Sequence, residues 1–162
     1  MGAIVLKKIF ALSVFSLLLL VGCSQIDSKT ESFIKEYLTL RYETVNMINQ
    51  EDSDVYSSIE HTELVKPYLS KERYEEYASK RESQQALQTD DYVVEKGGTM
   101  KIDSIDIEEV NKNEYNYKSI ITINNPTENL RTTVTGLLKI DEDGLIYYDW
   151  RNRELGVTKV ID

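Results

Sequence analysis

The chain has 162 residues and a formal net charge of −9, from 28 acidic and 19 basic residues. A body this acidic is repelled by phosphate backbones and by anionic lipid headgroups, so nucleic acid is a poor candidate partner. The sequence has a single cysteine, which excludes an internal disulfide. It has no low-complexity tract and no internal repeat, and its length fits one domain of ordinary size.

The first 22 residues have the three parts of a secretory signal peptide. Lys7 and Lys8 form a short positive region, an apolar run extends from Ile9 to Val21, and Gly22 supplies a small residue at its end. The apolar run has 13 residues, whereas a helix needs about 20 to span a bilayer. We therefore predict that residues 1–22 are removed and do not remain as an anchor.

The segment Leu20-Val21-Gly22-Cys23 resembles the lipobox of bacterial lipoproteins. This resemblance implies cleavage between Gly22 and Cys23, a diacylglycerol in thioether linkage on Cys23, and a place on the extracytoplasmic face of the cell membrane. The alternative is a chance thiol near the end of an ordinary signal peptide, but a lone thiol is unusual in an exported protein. No other cofactor and no metal is expected. The bias toward Lys, Ile, Asn and Glu favours a Gram-positive host.

The predicted organisation is a removed signal peptide (1–22), a short lipidated tether (23–27) and one domain (28–162). Removal of the signal peptide leaves 17 basic and 28 acidic residues, a net charge of −11. Five tether residues reach at most ~18 Å. So short a tether holds the domain close to the bilayer, and this favours a membrane or cell-surface protein as partner.

The N-terminal half of the domain has helical patterns. Ser28-Lys29-Thr30-Glu31 has the composition of a capping box, and apolar residues recur at helical spacing from there to about Asn49-Gln50. Val55–Ile59 is predicted as a short helical turn. Pro67 is expected to separate residues 62–66 from a longer helix that Ser70 caps.

The C-terminal half has the period of two that is typical of strands. Tyr92-Val93-Val94 leads to a hairpin turn at Gly97-Gly98, and the alternation in the next strand slips at Asp103-Ser104, which predicts a bulge. Asp143-Gly144 is a strong hairpin turn. The residues predicted to share the inner face of the sheet are Tyr115, Tyr117, Ile121, Ile123, Val134, Leu138, Ile140, Ile146, Tyr148 and Trp150.

These patterns predict an α+β fold with two to three N-terminal helices packed on a curved antiparallel sheet of four to five strands. Over residues 28–151 the order and lengths of the elements resemble the nuclear-transport-factor-two-like fold, in which helices and sheet enclose a cone. A cystatin-like domain is the nearest alternative. The resemblance implies that the cone interior can hold a small ligand or an isomerase or dehydratase site, and similar domains occur in conjugation and type IV secretion machineries.

Candidate residues for chemistry are few. Asp149 is predicted on the outer face, although a register slip of one residue would turn it inward and give a cone enzyme an acid or base. His61 is the only histidine and is predicted to face solvent; with Glu63 it lacks the further ligands that zinc needs. Asp141 and Asp143 belong to the hairpin turn and not to a calcium loop. We predict no enzyme.

A candidate interaction patch lies on the last long strand, where aromatic and arginine side chains are concentrated. Aromatic residues and arginine are the usual anchors of protein interfaces. The alternative, which the alternation favours, is that Tyr148 and Trp150 fill the core. The patch consists of Tyr147, Tyr148, Trp150, Arg151 and Arg153.

The preferred functional hypothesis is a lipid-anchored, non-enzymatic protein-interaction module at the membrane surface, in a conjugation, secretion or exclusion system. The second is a cone that binds a small ligand or acts as an enzyme, for which a deep pocket lined by Tyr115, Tyr117 and Tyr148 is required. The third is release of a peptide pheromone from Phe15–Gly22 of the signal sequence.

Overall fold

The computed structural model describes residues 26–43, 55–85, 94–152 and 156–159. They form an α+β fold in which helices pack against an antiparallel sheet, as the sequence predicts. The helices are α1 (Ser28–Glu43), α2 (Val55–Val65), α3 (Lys71–Ser79) and α4 (Glu82–Gln85). The strands are β1 (Thr99–Asn111), β2 (Glu114–Asn124), β3 (Asn129–Ile140), β4 (Ile146–Arg151) and β5 (Gly156–Lys159).

Several sequence predictions fall outside the described residues. These are the lipobox and Cys23, most of the tether, the end of the first helix near Asn49-Gln50, the strand residues Tyr92-Val93, and Arg153. Within the described part of the chain, none of the helices combines the length and the apolar character needed to cross a bilayer.

Helix α1 begins at Ser28, but its cap is Asp27 and not the predicted Ser28. The Asp27 carboxylate accepts hydrogen bonds from the backbone N–H groups of Lys29 at 3.0 Å and Thr30 at 3.3 Å. A carboxylate at this position accepts hydrogen bonds from free amides and also complements the helix dipole. Asp27 therefore takes the capping role that the sequence assigned to Ser28. The buried stripe of α1 consists of Ile34, Tyr37, Leu38, Arg41 and Tyr42.

The second helical region is more continuous than its sequence suggests. The chain forms one helix over Val55–Val65 and continues into a 3₁₀ turn, Lys66–Tyr68, that accommodates Pro67 near its start. Ser70 caps α3 as predicted, accepting a hydrogen bond from the Arg73 backbone N–H at 3.3 Å. Along the chain, α2, the 3₁₀ turn and α3 therefore follow one another between α1 and the first strand.

The sheet has the order β1-β2-β3-β4, and the predicted bulge in β1 is confirmed between Ile102 and Ser104. Strand β5 pairs with Leu130–Thr133 at the start of β3, whereas β4 pairs with Gly136–Ile140 at its end. The last two strands therefore follow one another along the same edge of β3.

The inner face of β2 and β3 is buried as predicted, and Gly136 is required by its packing. A Cβ atom at position 136 would lie 2.5 Å from ring atoms of Tyr117 and 2.3 Å from the Trp150 carbonyl oxygen. A side chain at position 136 would collide with the Tyr117 ring and the β4 backbone, so glycine is the residue that fits here. The buried residues of this face are Tyr115, Tyr117, Ser119, Ile121, Ile123, Thr132, Val134, Leu138 and Ile140.

The predicted orientation of β4 is wrong after its first residue. Ile146 is buried and pairs with Ile140, but Tyr148 pairs with Lys139, so Tyr147 is an extra residue in a bulge. One extra residue moves every later side chain to the opposite face. Tyr148 and Trp150 consequently leave the core, and the side chain of Asp149 enters it.

Candidate functional site

Four charged side chains meet beneath β4 in what we call the ion-pair cluster: Arg41, Arg73, Glu82 and Asp149. Arg73 binds Glu82 through two parallel hydrogen bonds of 2.8 and 2.7 Å. Arg41 donates to Asp149 Oδ2, and its other terminal nitrogen lies 3.6 Å from Glu82 Oε2. The Tyr37 hydroxyl also donates to Asp149 Oδ2. The cluster therefore links α1, α3, α4 and β4 through two cations and two anions.

Arg73 and Glu82 keep their charges despite burial. Burial by itself raises the pKa of Glu82, but the hydrogen bonds from Arg73 and the charges of Arg41 and Arg73 outweigh it and lower that pKa below its usual value. Burial by itself lowers the pKa of Arg73, and Glu82 outweighs it and raises that pKa. Compensation of this kind is the condition under which ionised groups remain stable inside a protein.

Asp149 has turned inward, which is the arrangement that the enzyme alternative required. Its Oδ2 atom, however, accepts hydrogen bonds from Arg41 and Tyr37, and a terminal nitrogen of Arg73 lies 3.9 Å away. A general base must be able to take a proton from a substrate, and two arginines beside a carboxylate oppose its protonation. This geometry favours a structural role for Asp149.

The three tyrosines proposed to line a pocket do not come together. Tyr115 and Tyr117 lie on the inner face of β2, whereas Tyr148 lies on the other side of the sheet. Burial raises the pKa of the Tyr117 hydroxyl, and its ring rests on Gly136. The structure therefore does not bring Tyr148 into the interior with the other two.

His61 is buried, and its predicted exposure to solvent is wrong. Its side chain is 2% exposed, and Nε2 donates to the Leu40 carbonyl oxygen at 3.0 Å. Burial lowers the pKa of His61, although the bond to Leu40 acts in the opposite direction. Among the described residues no group of three His, Cys, Asp or Glu side chains is placed to hold a metal ion.

A pH dependence of stability follows from this histidine. The unfolded chain binds a proton near pH 6.5, while folded His61 stays neutral to lower pH, so stability decreases as the pH falls through 6.5. The slope is at most about 1.4 kcal/mol per pH unit, because one proton is involved. His61→Gln keeps a donor toward Leu40 but cannot titrate. Urea unfolding from pH 7.5 to 5.5 is expected to show a weaker slope for this variant, and equal slopes would contradict the prediction.

An open cleft of about 870 Å³ separates β4 from helices α3 and α4. The ion-pair cluster forms its floor. Its twelve lining residues comprise three aromatic and nine charged or amide side chains, and none is aliphatic. They are Arg41, Arg73, Glu76, Lys80, Glu82, Gln85, Tyr147, Tyr148, Asp149, Trp150, Arg151 and Asn152.

The three aromatic residues of β4 are among those that line the cleft and are named here the aromatic patch: Tyr147, Tyr148 and Trp150. They are 48%, 41% and 50% exposed. The Lys139 ammonium lies 5.6 Å from the centre of the Tyr148 ring, within the range of a cation–π contact. Arg151 is half-buried beside them. Four of the five residues of the predicted interaction patch line the cleft, and the fifth, Arg153, is outside the described residues.

Comparison with known proteins supplies no relative: no protein-family model, curated protein or solved structure matches the chain. The functional argument therefore depends on the residues of this chain alone.

Proposed function

We infer that this protein is a lipid-anchored, extracytoplasmic lipoprotein that acts as a non-enzymatic protein-interaction module at the membrane surface. The observation that carries this proposal is the exposure of the aromatic patch. Strand β4 has only six residues, yet three of them are large aromatic residues that are exposed to solvent. Single exposed apolar side chains are common on protein surfaces, whereas a group of three is informative. Exposed Tyr and Trp next to arginine are the groups that contribute most to binding at protein interfaces.

The position of the patch relative to the tether supports a partner in or near the membrane. Asp27, the last residue of the predicted tether, lies near Tyr115, whose pKa is raised by burial and further by the charges of Glu109 and Asp27. Tyr115 pairs with Leu138, and Leu138 pairs with Asp149 on β4. Two strand spacings amount to about 10 Å. The aromatic patch therefore lies at the same end of the sheet as Asp27.

The state of Asp149 supports the non-enzymatic part of the proposal, because its charge is already used in the ion-pair cluster. A conjugation, secretion or exclusion apparatus is the specific setting we propose, since similar layouts occur in such machineries.

Site-specific crosslinking in intact cells tests the proposal. A photoreactive amino acid replaces Tyr148 in one strain and Val110 in another; both side chains are 41% exposed, but Val110 lies on β1 at the opposite edge of the sheet. We expect a discrete adduct with a membrane or cell-surface protein from position 148 only, and its loss when Trp150→Ala is added. No adduct from position 148, or the same adduct from both positions, would rule the proposal out.

A further inference from the structure

We propose that the cleft between β4 and helices α3 and α4 binds an extended, acidic segment of the partner protein, which joins the sheet as a new strand beside β4. This inference rests on the proposed protein-interaction function and names the chemistry of the partner. Six consecutive residues, Tyr147–Asn152, line the cleft. Side chains alternate between the two faces of a strand, so an unbroken run of lining residues shows that the cleft follows the edge of β4.

The edge of β4 that faces the cleft is open. Strand β4 is the last in the order β1-β2-β3-β4, and among the described residues only Leu69 pairs with its other edge, through a parallel bridge to Ile146. The chain leaves this edge at once, because Ser70 caps α3. Beyond Ile146, the described part of the chain therefore supplies no strand next to β4.

Backbone groups on this edge are available to an incoming strand. Asn152 donates its backbone N–H to the Thr135 carbonyl oxygen of β3 at 2.8 Å. Alternate residues of an antiparallel strand direct their N–H and C=O groups to the same side, so those of Asp149 and Arg151 point away from β3. These groups have no hydrogen-bond partner among the described residues. The Asp149 side chain is 0% exposed while the residue as a whole is partly exposed, so its accessible surface belongs to the backbone.

The charge of the cleft selects an acidic segment. Four cations and three anions line it. The ion-pair cluster contributes two of each sign, and Lys80 is paired with Glu76. Arg151 is the remaining cation; it is half-buried and forms no ion pair with a described residue. A guanidinium binds a carboxylate through two parallel hydrogen bonds, so an Asp or Glu of the incoming strand is its natural partner.

The register of β4 specifies the side-chain pattern of the incoming strand. Arg151 lies on the same face of the sheet as Asp149, whereas Tyr148 and Trp150 lie on the opposite face. Side chains of neighbouring strands contact one another when they share a face. A segment that alternates acidic and apolar residues places its carboxylate beside Arg151 and its apolar side chains beside Tyr148 and Trp150. Strand addition of this kind is an established mode of peptide recognition.

Tryptophan fluorescence of the full-length lipoprotein in detergent tests the inference, since Trp150 is the only tryptophan and half of it is exposed. The probe is a capped peptide of alternating valine and aspartate. One control peptide of equal length has lysine in place of aspartate, and another carries N-methyl groups on its backbone amides. We expect a saturable blue shift with the acidic peptide at millimolar concentration or below, at least tenfold weaker binding of the lysine peptide, and no shift with the N-methylated peptide.

Two arginine variants and hydrogen exchange locate the binding. Arg151→Gln removes the unpaired cation, and we expect about five- to tenfold weaker binding of the acidic peptide. Arg131→Gln neutralises an exposed arginine of β3 that does not line the cleft, and binding is expected to be unchanged. The acidic peptide is expected to slow exchange of the Asp149 and Arg151 amides and to leave the amides of β1, at the opposite edge of the sheet, unaffected.

Absence of a saturable shift with the acidic peptide, equal affinity for either control peptide, or unchanged affinity of Arg151→Gln would each overturn strand addition. The crosslinking experiment separates this outcome from failure of the proposed function. An adduct from position 148 together with a failed peptide titration would show that the partner docks a folded surface on the aromatic patch. No adduct from that position would remove the proposed function itself.

Discussion

Replacing Asp149 with asparagine is expected to lower the free energy of unfolding by about 3–5 kcal/mol. The substitution preserves the shape of the side chain and removes its charge. Arg41, which donates to Asp149 Oδ2, then has only Glu82 as a counterion, and Arg73 already engages both oxygens of Glu82. A buried cation without compensation costs several kcal/mol, and this cost exceeds the modest value of any single hydrogen bond that asparagine can restore.

Urea unfolding of the full-length protein measures this loss, and Asp143→Asn is the matched control. Asp143 is exposed in the turn between β3 and β4, so its neutralisation is expected to change stability by less than about 0.5 kcal/mol. A second variant separates charge from packing. Arg41→Met combined with Asp149→Leu removes one cation and one anion together and is expected to recover a substantial part of the stability. A loss below about 1 kcal/mol in Asp149→Asn would show that the cluster is not a stabilising core.

The burial of the inner face of β2 and β3 could be predicted from the sequence, because buried and outward-facing residues alternate along both strands without interruption. Tyr115 and Tyr117 on β2, and Val134 and Leu138 on β3, are buried as their alternation predicts. The α+β class follows from the same alternation combined with the helical spacing before it. The resemblance to the nuclear-transport-factor-two-like layout stays a prediction.

The orientation of the β4 side chains could not be predicted from alternation, because large aromatic residues occur on both faces of this strand. Ile146, Tyr147, Tyr148 and Trp150 give no polar position by which a one-residue bulge could be detected. Asp149 and Arg151 were the polar markers of the strand, and the alternation started from Ile146 placed both outside. Only the pairing of Tyr148 with Lys139 reveals the slip.

The ion-pair cluster was missed because all four of its members are residue types that usually lie on surfaces. One local indication was available: Arg41 follows Tyr37 by four residues and Leu38 by three, so it continues the buried stripe of α1. Its partners could not be found in this way, since the pairing of Arg41 with Asp149 depends on the tertiary packing of α1 against β4. His61 likewise owes its burial to the distant carbonyl of Leu40.

Replacing Cys23 with serine is expected to remove the protein from the membrane fraction. Serine cannot form the thioether that would hold the diacylglycerol, and two acyl chains are what makes lipid anchoring stable. The remaining apolar run has 13 residues and is too short for a lasting membrane anchor. Fractionation of cells and mass spectrometry are expected to show a chain without lipid, either in the medium or as uncleaved precursor, whereas Ser24→Ala is expected to behave as the natural sequence does.

The same variant tests whether closeness to the bilayer matters. Because the tether of residues 23–27 reaches at most ~18 Å, the proposed lipid anchor would confine the aromatic patch to a thin layer above the membrane and raise its effective concentration toward partners there. Release into the medium removes this advantage without altering the fold. The adduct formed from position 148 is therefore expected to disappear in the Cys23→Ser background, while the unfolding free energy of the released domain matches that of the anchored protein. An undiminished adduct from the released form would show that the patch recognises its partner by affinity alone.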